Sequence, residues 1–108
     1  MSYQHQSLAE GRWKQMTFLE QMANIGSDVE RALNWRAKNN EAFSQKALER
    51  ALELLDLTLE NAGSSSRLRE VARVREALVD YFLGDNQYGS TEMLWKKYFF
   101  HFNFAVRK

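Results

Sequence analysis

Four acidic side chains, Glu49, Glu53, Asp56 and Glu60, follow one another at spacings of four, three and four, which places them on one face of a helix. Carboxylates arranged in this way can hold a di-metal centre in a helical bundle, but that chemistry also needs a Glu-x-x-His pair on facing helices. Neither of the two His residues has a Glu three positions before it. The stripe therefore reads as the wet side of an otherwise apolar helix, and no metal site is expected. The absence of Cys removes thiol nucleophiles, zinc-thiolate sites and disulfides together. The five Gly residues match neither phosphate-binding fingerprint, and no GxSxG or HExxH occurs. His101 has no Ser, Cys or Asp constellation beside it, so no catalytic residue is assigned and no cofactor is expected.

Cations are distributed unevenly. Residues 1–61 carry a formal charge of −2 and residues 62–108 a charge of +3, although the whole chain carries only +1. Arg67, Arg69, Arg73 and Arg75 share one predicted helix, and Glu70 and Glu76 stand three residues after Arg67 and Arg73, where they can pair with them. Arg69, Arg73 and Arg75, with Lys96 and Lys97 and neighbouring aromatics, have the composition of an RNA contact. The competing reading is a solvated, salt-bridged face. Arg75 lies seven residues after Leu68 and four after Val71, at the edge of the core stripe, so it needs a partner. Asp80, Asp56 and a carboxylate from a second copy are the candidates.

The C-terminal segment holds more aromatic rings than one helix face can bury. Trp95, Tyr98, Phe99 and Phe102 fill an inward stripe, which leaves Phe100 and Phe104 on another side, with His101 and Asn103 between them. Exposed rings are unfavourable at about 25 cal/mol per Å², and such patches mark contact surfaces. The expected interface comprises Trp95, Phe99, Phe100, His101 and Phe104, closing on a second copy of the chain or on a helical partner.

These groups need elements to position them. The 108 residues suffice for one domain, and 44% hydrophobic with 27% charged residues is the balance of a folded chain. Pro is absent, so no position forbids a helical hydrogen bond. Residues 1–10 read as a frayed lead-in to a single domain spanning 1–108. Leu19, Met22, Gly26, Val29 and Leu33 keep helical spacing. Ser27-Asp28-Val29-Glu30 could open a new helix as a capping box. The unbroken apolar phase across Gly26 favours one helix from about Arg12 to Asn39, with Gly26 permitting a close helix contact.

A turn at Asn39-Asn40 leads to a second helix, about Glu41 to Asn61, whose wide apolar arc includes Phe43, Ala47, Ala51 and Leu54 beside Leu48, Leu52 and Leu55. Gly63 suits a left-handed cap and Ser66 the next N-cap. The third helix, about Arg67 to Leu83, turns Leu68, Val71, Val74, Leu78 and Phe82 inward. Ser90 or Thr91 caps a fourth, running to about Val106, whose stripe also takes in Leu94 and Val106. Short connections between four helices predict an all-α, antiparallel up-and-down four-helix bundle.

No apolar run reaches the ~20 residues of a membrane span, and Met1 to Glu10 lack a signal-peptide core. A cytoplasmic protein with no membrane partner is expected. The run Val29-Glu30-Arg31-Ala32-Leu33, the stretch from Lys46 to Leu55 and the Arg-rich third helix together resemble small prokaryotic helical proteins of the HEPN class (higher eukaryotes and prokaryotes nucleotide-binding), over about residues 25–85. That resemblance implies a dimeric four-helix bundle and a role beside a nucleotidyltransferase in a toxin–antitoxin pair. It also implies an RNase site of Arg followed after four to six residues by His. Here the matching spacing after Arg75 ends in Asp80, and His101 precedes Arg107, so the RNase signature is missing. The sequence thus points to a homodimeric interaction module without chemistry of its own, with an RNA-binding or toxin–antitoxin accessory as the alternative.

Overall fold

A computed structural model describes residues 11–107. They form a single 3₁₀ turn, Trp13–Gln15, followed by four helices: α1 (Phe18–Ala37), α2 (Glu41–Glu60), α3 (Ser65–Leu83) and α4 (Glu92–Arg107). The described residues contain no strand, so the all-α class holds. The expected lead-in at residues 1–10 lies outside the described residues.

α1 begins six residues later than the apolar spacing suggests, because a capping box at Thr17 sets its start. The Glu20 amide donates to Thr17 Oγ1 (3.1 Å), and the Thr17 amide donates back to Glu20 Oε1 (2.8 Å). The hydrogen bond from the Thr17 amide, helped by the Thr17 side chain, holds the Glu20 carboxyl below the usual carboxylate range. The residues before the box turn back, and Trp13 enters the core with only 1% of its surface exposed. Its indole Nε1 donates to Thr58 Oγ1 (3.0 Å), while Gln21 Nε2 donates to the Trp13 carbonyl (2.9 Å). The indole nitrogen and the carbonyl that Trp13 brings inside thus both find partners, as burial requires. Leu19 is exposed and Ile25 fully buried, which turns the inner face slightly from the expected row.

The helix does run unbroken through Gly26. A Cβ built on Gly26 would stand 2.8 Å from Phe99 Cβ, so the missing side chain is what lets α4 lie against α1. Asn39 takes the left-handed conformation at φ 61°, and Asn40 caps α2 by accepting from the Phe43 amide (3.1 Å). Phe43 does not join the core; half-exposed, it packs edge-on against Trp35 across the turn, 4.9 Å between ring centres. α2 otherwise buries the wide arc expected of it, with Leu57 added to the core.

α3 opens at Ser65 with Ser64 as its cap, earlier than Ser66, and Gly63 is not left-handed. Val71, Val74 and Leu78 are buried, Phe82 is partly so, and Leu68 in the first turn is 46% exposed. Thr91 caps α4, accepting from the Leu94 amide (3.1 Å). Leu94 and Val106 are exposed, which narrows the expected inner stripe of α4 to Trp95, Tyr98, Phe99 and Phe102. α1 packs closely on both α2 and α4, and α2 packs on α3. α3 and α4 approach each other less closely than any of these pairs.

Candidate interaction site on the C-terminal helix

α4 carries two apolar faces. On the inner one, Trp95 and Phe99 are buried and stack at 6.2 Å. Tyr98 meets Phe99 and Phe102 edge-on at 5.0 and 5.3 Å, continuing a lattice of aromatic contacts. On the other face Met93, Phe100 and Phe104 are 77%, 61% and 53% exposed. Together with Lys97 they recur at four, three and four residues, a single row turned away from the core. Phe100 and Phe104 stack on each other at 6.0 Å with 29° between ring planes.

The structure therefore divides the expected interface set. Trp95 and Phe99 are committed to the chain's own core, while Phe100, His101 and Phe104 stand at the surface. Met93 lies outside the expected interface set, although its spacing from Lys97 and Phe100 places it on the same row.

The basic set divides as well. Arg75 is held by Asp56 of α2, with Nε to Oδ1 at 2.7 Å and Nη2 to Oδ2 at 3.5 Å. Asp80 is engaged elsewhere. Its carboxylate accepts the Gln87 and Tyr88 amides (2.8 and 3.1 Å) and shapes the α3–α4 loop. Lys96 pairs with Glu92 at 3.3 Å, and Lys97 lies exposed on the outer row of α4.

The pairing expected within α3 does not form, because tyrosines claim both carboxylates. Tyr98 Oη donates to Glu70 Oε2 and Tyr88 Oη to Glu76 Oε1, each at 2.7 Å. Burial, reinforced by the bond to Glu70, pushes the Tyr98 phenol up from its ordinary value. The bond to Glu76 raises that of Tyr88. Arg67 lies over the Phe18 ring instead, 5.0 Å from its centre. Arg69 and Arg73 are exposed and have no acidic partner among the described residues.

Two clefts flank α4. One, of about 150 Å³, lies over the α1–α4 seam at Gly26 and is bounded by Glu30, Lys96, Phe99 and Phe100. The other, of about 350 Å³, opens between α3 and α4, with Val74, Ala77, Leu94, Trp95 and Tyr98 as its apolar lining and Arg73 at its edge. It continues into a larger depression, of about 520 Å³, that shares Arg73, Val74 and Tyr98 and adds Arg69 and Glu70. On α2, the carboxylate stripe has no metal geometry: no three His, Asp or Glu side chains converge among the described residues. No family model, curated protein or solved structure matches the chain.

Proposed function

We propose that this chain is a homodimeric helical interaction module, without catalytic activity of its own, that closes through the outer row of α4. The observation that carries the reading is the exposed Phe100–Phe104 stack, continued along the same row by Met93. Covering the two half-exposed Phe rings of each copy removes roughly 200 Å² of apolar surface per copy, worth about 10 kcal/mol for the pair of copies. Association costs ~4–15 kcal/mol in lost freedom, so the ring pair needs the rest of its row. A two-fold axis supplies it. Two α4 helices crossing antiparallel near the middle of the row would set Met93 against Phe104 of the second copy, and Lys97 against its Phe100 as a cation–π pair.

Within each subunit, connections of three residues (38–40) and four residues (61–64) support an antiparallel up-and-down order for the first three helices. A cytoplasmic address belongs to the same reading; no helix among the described residues is long and apolar enough to cross a membrane. In its widest form, resting on the HEPN-like pattern of α1 to α3, the module would be an accessory to a nucleotidyltransferase in a toxin–antitoxin pair. RNA binding is the second reading, favoured by Arg69 and Arg73, which have no acidic partner among the described residues. It requires a steep salt dependence that weakens when both become Ala.

Sedimentation velocity tests the first reading. Wild type should sediment as a dimer and the Phe100→Asp/Phe104→Asp variant as a monomer with unchanged helix content. Two identical monomers would remove the proposal.

A further inference from the structure

The cleft between α3 and α4 has a chemistry that the dimer does not use. Its lining is apolar, from Val74 and Ala77 on one helix and Leu94, Trp95 and Tyr98 on the other. Its cationic end is Arg73, with Arg69 beyond it in the adjoining depression. Glu70 lines that depression too, but its carboxylate already accepts the Tyr98 hydroxyl. Two guanidiniums without an acidic partner among the described residues therefore stand beside one occupied carboxylate.

Trp95 adds a second sign. Its Nε1 is buried and, among the described residues, is the one buried side-chain nitrogen or oxygen without a hydrogen-bond partner. Leaving such a donor unmet is unfavourable, and the contrast with Trp13, whose indole reaches Thr58, shows that this fold does satisfy such groups where it can.

We infer that the α3–α4 cleft binds a small amphiphilic carboxylate, with its head between Arg73 and Trp95 and its tail along Val74, Ala77 and Leu94. Arg69 and Arg73 give the head its charge complement, and a guanidinium can meet a carboxylate with two hydrogen bonds. Trp95, whose buried N–H has no acceptor among the described residues, is part of the same lining. A volume of about 350 Å³ is near the lower end of ligand sites, ~300–1,000 Å³, and suits a short chain such as octanoate.

The test is a titration of the ¹⁵N-labelled full chain with sodium octanoate, following the three Trp indole N–H signals, with Trp95 assigned by its loss in Trp95→Phe. Octanoate should move the Trp95 signal saturably while those of Trp13 and Trp35 stay in place. The Arg69→Ala/Arg73→Ala variant should bind at least about tenfold more weakly, and Ala77→Phe should block the tail without changing helix content. Octan-1-ol should bind more weakly than octanoate by a similar factor. No saturable shift with octanoate, an equal response to octan-1-ol, or full binding by the double Arg variant would each overturn the inference. Phe100→Asp/Phe104→Asp should retain octanoate binding, which separates this site from the dimer.

Discussion

The two sides of α4 solve the same packing problem in opposite ways. Towards α1 the contact is made by subtraction: Gly26 offers no side chain, and the Phe99 ring lies directly against the helix backbone. Towards α3 the helices stand apart, and what bridges them is long side chains, Tyr98 reaching Glu70 and Tyr81 tilted against Trp95 at 6.5 Å. At the Gly26–Phe99 contact this seam has no slack, because interiors are packed to crystal-like density, and the small cleft of the seam lies beside that contact. A gap spanned by the ends of long side chains leaves volume beside them, and that volume is the cleft. Stability should therefore concentrate on the α1 side of α4 and ligand access on the α3 side.

Breaking the seam should give the largest effect. Gly26→Ala gains about 1 kcal/mol in helix propensity, yet its Cβ would lie 2.8 Å from Phe99 Cβ, an atom fixed to the α4 backbone rather than the tip of a flexible chain. Overpacking of this kind costs roughly 1–3 kcal/mol, and Gly26→Val, with two further methyls, should exceed it at ~3 kcal/mol or more. Urea denaturation measures both. Gly63→Ala is the control, since its Cβ would meet nothing within 4 Å. A stabilised Gly26→Ala would show that α4 can slide and that the seam is not tight.

The unequal sides of α4 also show what the sequence made legible. The continuous α1, the close contact at Gly26 and the outward Phe100 and Phe104 all follow from helical spacing, which is local and strongly periodic. Trp13 was hidden because it lies before the capping box, on a turn with no periodicity, and its place depends on Thr58 being 45 residues away. The Tyr98–Glu70 and Tyr88–Glu76 bonds were invisible for a related reason. Spacing placed Glu70 and Glu76 beside Arg67 and Arg73, and only the fold brings a competing hydroxyl to each. The phase of Leu68 and Leu94 points both inward, but the separation of α3 and α4 leaves both at the surface. An inter-helix gap is a property of the pair, and neither helix records it alone.

Cutting the tether should cost less than breaking the seam. Tyr98→Phe keeps the ring among Phe99 and Phe102 and removes one hydrogen bond, for a loss of about 1 kcal/mol. Its pH signature is more telling than its size. The phenol is held neutral in the folded state by burial and by Glu70, so its pKa is raised above the unfolded value. The stability it adds is complete below the unfolded value of about 10 and declines as pH rises beyond it. Wild type should lose stability above that pH more steeply than Tyr98→Phe. Parallel curves for the two proteins would mean that Glu70 does not hold the hydroxyl. Octanoate binding, as proposed, should also weaken in Tyr98→Phe, because Tyr98 is part of the cleft lining.

The smallest effect tests what holds α3 to the rest of the molecule. Arg75 and Asp56 join α3 to α2 with good geometry, but their side chains are 37% and 45% exposed. Pairs this wet contribute ~0.2–1 kcal/mol, whereas Val71 and Leu78 on the same helix are fully buried, and Leu→Ala changes at such sites cost ~2–5 kcal/mol. Arg75→Ala should accordingly destabilise by about 0.5 kcal/mol in low-salt urea denaturation, and the difference should shrink in 1 M salt, where screening shortens to ~3 Å. A loss above about 2 kcal/mol that survived high salt would mean that the ion pair, and not the apolar face, anchors α3. In that case the cleft beside it would be bounded by a helix that an electrostatic contact alone could release, and its volume would change with ionic strength. With α3 fixed by Val71 and Leu78, the cleft keeps its shape in high salt, and only the attraction of Arg69 and Arg73 for an anion is screened.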